Sequence, residues 1–197
     1  MFIKYQLMPH LPDIQNLKKL YDRALAVDSV IGLSIGTRPD CVPDQVLDLL
    51  VQYQQQGFII WLELGLQSSF DAALARVNRG HGWQEYEDAC LRARAKGLKV
   101  CTHLIAGLPG ERLSNKHGVK GTQLAREWKA GRYSPIVFED YVDLVVQMLR
   151  KMPKDVVVHR LSGTASEDIL LAPKWCGKKW AVLNAIHEGL KKVTLQA

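Results

Sequence analysis

Over its first hundred or so residues the chain switches repeatedly between short apolar runs and helical patterns, strand then helix. The strand-like runs cover 2–7, 30–35, 58–64 and 98–105, and a further one stands at 155–161. They are apolar almost throughout, a pattern of strands covered on both faces. Helical periodicity fills the gaps. Residues 14–26 carry Ile14, Leu17, Leu20, Tyr21, Ala24 and Leu25 on one face. Residues 43–55 open on Pro43, suited to a first helical turn, and bury Val46, Leu47, Leu50 and Val51. Residues 83–96 stop at Gly97, a good helix C-cap directly before the next strand. Such alternation requires βαβ units with right-handed crossovers, in an open α/β sheet or a (β/α) barrel.

The stretch 112–133 breaks the rhythm: it is polar, basic and glycine-containing, and lacks the apolar strand expected there. A second region follows. It has an amphipathic helix over 138–152 with Tyr141, Leu144, Val145, Met148 and Leu149 as its stripe, a strand through 156–158, a loop over 162–172 and a closing helix from about 178 to 192. We therefore expect a barrel-like core over 1–133 and an α/β extension over 134–197.

At 197 residues and 47% apolar content this is one large domain, or a domain with an appendage. No apolar run reaches membrane-spanning length and the first residues do not resemble a signal peptide, so a cytoplasmic location and no membrane partner are expected. The formal charge of +6 is spread out, apart from Lys174, Lys178, Lys179, Lys191 and Lys192. It reads either as a solvated basic surface or as a surface for RNA or another polyanion. The four cysteines, Cys41, Cys90, Cys101 and Cys176, are too far apart in sequence to form a CxxC or CxxxCxxC loop. Cys90 and Cys101 read as buried packing residues, and Cys41 lies near the presumed site.

In α/β sheets and barrels, chemistry collects at the carboxyl ends of strands. Here the second strand runs into Thr37, Arg38, Pro39 and Asp40. The third contains Glu63 and reaches Gln67 and Ser68. The fourth contains His103 and passes through Ile105 into Gly107-Leu108-Pro109-Gly110-Glu111. The last carries His159 and Arg160. Each residue has two readings. Arg38 and Asp40 either pair locally around Pro39 or face a ligand. Glu63, costly inside an apolar strand unless partnered, either belongs to a site or pairs with Arg38. Gln67 or Ser68 could cap the next helix. His103 could be a satisfied core histidine, and His159 with Arg160 could bridge the two regions.

There is no Ser-His-Asp order, P-loop, HExxH or GxGxxG spacing. A polar mouth without an evident nucleophile is the profile of a pocket for a cofactor that carries the chemistry itself.

These segments together resemble the radical SAM superfamily, and within it the YhcC-like group related to the Elongator catalytic subunit. The resemblance is carried by Gly36-Thr37-Arg38-Pro39-Asp40-Cys41, Glu63-Leu64-Gly65-Leu66-Gln67-Ser68, Asn78-Arg79-Gly80-His81 and the segment from His103 to Glu111. In the second region Val157-Val158-His159-Arg160-Leu161-Ser162-Gly163 and Leu170-Leu171-Ala172-Pro173-Lys174-Trp175 also match.

The resemblance implies a partial (β/α) barrel. It implies S-adenosylmethionine held on a [4Fe-4S] cluster by three cysteines of a CxxxCxxC loop, an external electron donor, and a 5'-deoxyadenosyl radical that abstracts a substrate hydrogen. By strand, Ile105, Gly107, Pro109, Gly110 and Glu111 would lie beside the adenine, with Glu63 and Gln67 near the ribose and methionine part. His103 joins this cofactor set, facing its substrate side. Thr37, Arg38, Asp40, His159 and Arg160 would face the substrate, an RNA or protein on the Elongator analogy.

The chain departs from the family in two places. It carries no cluster-binding loop, opening at what looks like the family's second strand, and the short 112–122 connection stands where the family has a further helix and strand. Two other readings compete: a non-catalytic RNA- or protein-binding module derived from the fold, and a metal-free enzyme using Glu63 and His103 as acid and base.

Overall fold

The computed structural model describes residues 1–6, 13–105, 108, 118–119, 123–132, 134–163 and 168–194. They form two compact units, Met1–Gly110 and Glu111–Ala197.

The first unit is built on four parallel strands: β1 (Phe2–Gln6), β2 (Gly32–Thr37), β3 (Ile59–Gln67) and β4 (Lys99–Leu104). Their spatial order β1-β2-β3-β4 is their chain order. The intervening helices are α1 (Ile14–Leu25), α2 (Asp44–Gln55), α3 (Asp71–Arg76) and α4 (Trp83–Ala95). Three of them lie within a residue or so of the helices expected from periodicity, and the short α3 is additional.

Two of the helices stop in the same way. Gly97, after α4, has φ +75°, a left-handed conformation that costs a Cβ-bearing residue energy. Its N–H donates to the Arg94 carbonyl, and Leu98 N–H donates to Ala93 O at 3.1 Å. Gly57, after α2 with φ +94°, repeats the pattern through Tyr53 and Gln54.

The strands are not covered on both faces, as their apolar content had suggested. Register places Leu33, Ile35, Ile60, Leu62 and Leu64 on one face, where they are buried against Leu17 and Tyr21 of α1, Leu47 and Leu50 of α2, and Ala89 and Ala93 of α4. The other face carries Phe2, Lys4, Ser34, Trp61, Glu63, Lys99, Cys101 and His103, all partly or largely exposed. The true periodicity is two, with Lys4, Ser34, Glu63 and His103 as its polar beats. A doubly wound sheet sets helices on both faces, whereas a barrel sets them on one. Helices on one face and strands in chain order are the winding of a barrel wall.

The second unit has its own core. Helices α6 (Phe138–Lys151) and α7 (Lys179–Thr194) pack through Tyr141, Val142, Val145, Val146, Val182 and Ile186. The Trp175 ring lies 4.9 Å from that of Tyr141, and its indole N–H donates to the Ile136 carbonyl at 3.2 Å. A short helix α5 (Gln123–Lys129) lies in the stretch read as a break in the rhythm. Strands β5 (Gly118–Val119) and β6 (Leu170–Ala172) pair antiparallel, so part of the expected 162–172 loop is strand. The expected strand at 155–161 does not form: residues 156–160 belong to no element, and Val157 is 78% exposed. Valine content gave that run its strand character, but a strand also needs a neighbour to receive its backbone hydrogen bonds.

Candidate functional site

Glu63 is the centre of the open face. One carboxylate oxygen lies 2.6 Å from Lys4 Nζ and 2.9 Å from His103 Nε2, while the other accepts a hydrogen bond from the Ser34 hydroxyl. Register explains the convergence. Lys4 and Ser34 are partners across β1 and β2, Gly36 is the partner of Glu63, and Cys101 opposite Glu63 sets His103 two residues on, on the same face. Glycine at position 36 leaves the neighbouring position without a side chain.

Desolvation alone would raise the Glu63 pKa, but the hydrogen bonds from Lys4, Ser34 and His103 outweigh it and hold the carboxyl down to about 2. A carboxylate so stabilised is a poor proton acceptor near neutral pH. It suits holding and orienting, which counts against the acid–base reading of Glu63 and His103. The alternative pair of Glu63 with Arg38 does not form, since Arg38 pairs with Asp40.

The strand ends add a second group. β3 bulges after Leu64, and Gln67 adopts φ +70°. This turns the Gln67 carbonyl to accept the Ile105 N–H at 2.8 Å, joining two residues expected beside a cofactor. Ser68 is buried and accepts the Phe70 N–H at 3.0 Å, shaping the entry to α3; neither Gln67 nor Ser68 is that helix's N-cap. Leu108 packs on Ala73 and Leu74 of α3. Gly107, Pro109, Gly110 and Glu111 lie outside the described residues.

At the end of β2, Thr37 is buried, and Arg38 and Asp40 form a two-pronged ion pair: Nε donates to Oδ1 at 2.9 Å, and the other guanidinium nitrogen meets Oδ2. The local pair around Pro39 thus forms. His159 and Arg160 lie in the second unit, outside any strand, where Arg160 Nε donates to the Ser162 carbonyl at 2.7 Å. The expected strand-end position of His159 and Arg160 is thus corrected, because the strand that would have carried it is absent.

Several residues beyond those expected belong here. Lys4 and Ser34 were hidden by sequence distance, though their place in the period-two pattern marks them. Arg79 comes from the Asn78-Arg79-Gly80-His81 segment. Asn78 ends α3 in the left-handed conformation, φ +54°, which asparagine tolerates. The chain then reverses, with Arg79 N–H bonded to Leu74 O at 3.0 Å, and the Arg79 side chain reaches the Gly65 carbonyl at 2.9 Å and His81 Nε2 at 3.3 Å.

A radical SAM superfamily model matches residues 8–116, and a radical SAM C-terminal domain model matches 110–192. The chain belongs to the radical SAM superfamily. It is similar to Protein YhcC of Escherichia coli K12, at 44% identity over 93% of this chain and 66% of that protein. It is similar to the uncharacterized protein YtqA of Bacillus subtilis, at 32% identity over 92% of this chain and 62% of that protein. Among solved structures it resembles the archaeal Elp3 of Methanocaldococcus infernus with an N-terminal deletion, with TM-score 0.70 and 20% identity over 95% of this chain and 54% of that one. That likeness identifies the fold as the partial (β/α) barrel of the superfamily. The chain thus spans about two thirds or less of the length of each. The YhcC alignment runs to 204 positions, more than the 197 residues here, so that relative has residues with no counterpart in this chain.

The superfamily's iron–sulfur cluster does not fit the residues present. Cys41 and Cys176 are buried, Cys90 and Cys101 are half-buried, and no group of three metal-ligating side chains occurs among the described residues. Burial raises the thiol pKa of Cys41 and of Cys101, and pushes that of Cys176 up to about 12, so these three are neutral thiols near pH 7. No described helix is long and apolar enough to cross a membrane.

Proposed function

We propose that the open face of this sheet forms one wall of an S-adenosylmethionine site in an enzyme that performs radical chemistry on a substrate still to be identified. The observation that carries the proposal is the Glu63 carboxylate, held by Lys4, Ser34 and His103 beside the carboxyl ends of parallel strands. Superfamily membership supports the choice of ligand. In that superfamily, bound S-adenosylmethionine supplies an alkyl radical when a [4Fe-4S] cluster reduces its sulfonium. This chain's residues do not supply the cluster's thiolates, so we derive no step through it.

The chain's own part is to bind and orient. Glu63 accepts hydrogen bonds and keeps its charge across the physiological pH range. It fixes the His103 ring through Nε2, directing the opposite edge of the imidazole away from that carboxylate. The bulge at Gln67 and Ile105 shapes the strand ends, and we assign Glu63, Gln67, His103, Ile105, Gly107, Pro109, Gly110 and Glu111 to the cofactor. Thr37, Arg38 and Asp40 are assigned to the substrate.

Titration of the 197-residue chain with S-adenosylmethionine by calorimetry tests this reading, with Glu63→Gln weakening binding about tenfold, the loss of one charge-assisted contact. Equal affinity of parent and variant would remove Glu63 from the site. Anaerobic reconstitution with iron and sulfide should give no cuboidal-cluster spectrum; a cluster able to cleave S-adenosylmethionine would contradict the ligand assignment.

A further inference from the structure

The turn that carries Arg38 and Asp40 is fastened at both ends. At its entrance Arg38 pairs with Asp40, and the Arg38 carbonyl accepts the Cys41 N–H at 3.1 Å, closing a single helical turn over Pro39–Cys41. Pro39, Cys41 and Val42 are buried, which leaves Arg38 and Asp40 as the polar groups the turn displays. At its exit Val42 has φ −122° and ψ 69°, outside the helical and extended regions, so local preference does not set the direction of the chain there.

Val42 is only 1% exposed, and a carbonyl at that depth needs a donor from the protein. Arg92 of α4, 50 residues further along the chain, is that donor. One guanidinium nitrogen donates to the Val42 carbonyl at 2.9 Å and to Asp44 Oδ1 at 3.0 Å, spanning the start of α2. Nε donates to Asp88 Oδ2 at 2.7 Å, one helical turn earlier in α4. Asp88 thus fixes the plane of the guanidinium, and the guanidinium fixes the exit of the turn; a rigid planar fork is suited to both tasks at once. Asp44 and Asp88 are largely exposed, so their ion pairs with Arg92 add little stability by themselves. The bond to the carbonyl differs in kind, because without it the Val42 peptide must turn to find another partner. Lys96, just after α4, pairs with Asp48 of α2. That pair also joins the two helices but touches no part of the turn.

We infer that Arg92 is a positioning residue: from the helix-covered side of the sheet it sets the direction in which the 38–42 turn presents Arg38 and Asp40 to the substrate. The inference rests on assigning those two residues to the substrate.

The test is carboxyl carbon NMR of Asp40 across pH in the full chain. The hydrogen bond from Arg38 holds this carboxyl below the ordinary aspartate range, so its midpoint reports how well the turn is set. Arg92→Gln should move the midpoint up towards the ordinary range, and Arg92→Lys, which keeps a charged donor for the Val42 carbonyl, should bring it back down. Lys96→Gln removes the same charge from the same pair of helices and should leave Asp40 where it is. An unmoved midpoint in Arg92→Gln, or an equal rise in Lys96→Gln, overturns the role. Should Arg92→Gln not fold, Asp88→Asn decides. Losing a negative charge would by itself lower the Asp40 midpoint, so a rise reports a loosened guanidinium, and a fall or no change overturns the role. The Asp40 midpoint reports the turn whether or not a substrate is bound there, and calorimetry with S-adenosylmethionine tests the cofactor reading separately, so either can fail alone.

Discussion

His103 Nε2 lies 2.9 Å from the carboxylate of Glu63, across the β3–β4 pairing and on the face of the sheet that the helices leave open. The same carboxylate takes Lys4 from β1 and Ser34 from β2, so one side chain ties together all four strands of the sheet. The tie depends on charge. Because the folded-state pKa of Glu63, about 2, lies below its ordinary 4.5, its contribution to stability is complete above about pH 4.5 and lost as pH falls towards 2. Glu63→Gln should flatten that part of the acid-unfolding curve, followed by circular dichroism. An unchanged curve would show that other carboxylates govern acid unfolding.

Ser34→Ala removes one of the three donors without touching charge. The Glu63 carboxyl should then titrate higher, by up to about one pH unit. Carboxyl carbon NMR reads the midpoint directly, and an unmoved midpoint would mean that Lys4 and His103 suffice.

Gly80→Ala puts a methyl group where the Arg38 guanidinium lies. The far end of a flexible side chain can swing away, so we expect a stability loss below about 1 kcal/mol. The Arg38–Asp40 pair should nevertheless break. Asp40, held low chiefly by its hydrogen bond from Arg38, should return towards the ordinary aspartate range. Normal Asp40 titration in the variant is the expected result; a still-depressed Asp40 would show that the pair survives the methyl group.

In the second unit, Gly189 of α7 faces Val146 of α6, and an added methyl would stand 2.8 Å from Val146 Cγ2. Alanine gains about 1 kcal/mol in helix propensity, while forcing apart a packed branched side chain costs about 1–3 kcal/mol. Packing should win, making Gly189→Ala destabilising in thermal melts. Adding Val146→Ala should recover part of the loss; if the two effects simply add, the contact is not responsible.

Most of the first unit was legible because local signals and tertiary demands agree there. Leu17 and Tyr21 mark the buried stripe of α1, and Gly97 marks where α4 must stop. The one-sidedness of the sheet was harder to see: Ile59, Trp61 and Lys99 on the open face blur an alternation that register makes plain. Glu63 could be singled out as an ionisable group in an apolar strand, but its partners Lys4 and Ser34 are 59 and 29 residues away, and only strand pairing selects them. Arg38 with Asp40 was readable because two residues around a proline have few other choices. The run at 155–161 misled because β propensity records what a residue tolerates, not whether a neighbouring strand is there to receive it.

The order of the four strands has a consequence for how the chain is made. Each strand from β2 onward pairs with the one synthesised just before it, so those three strands find a partner already translated. Assembly can follow the emerging polypeptide, one hairpin-free step at a time, with β4 as the growing edge and each completed unit serving as the template for the next.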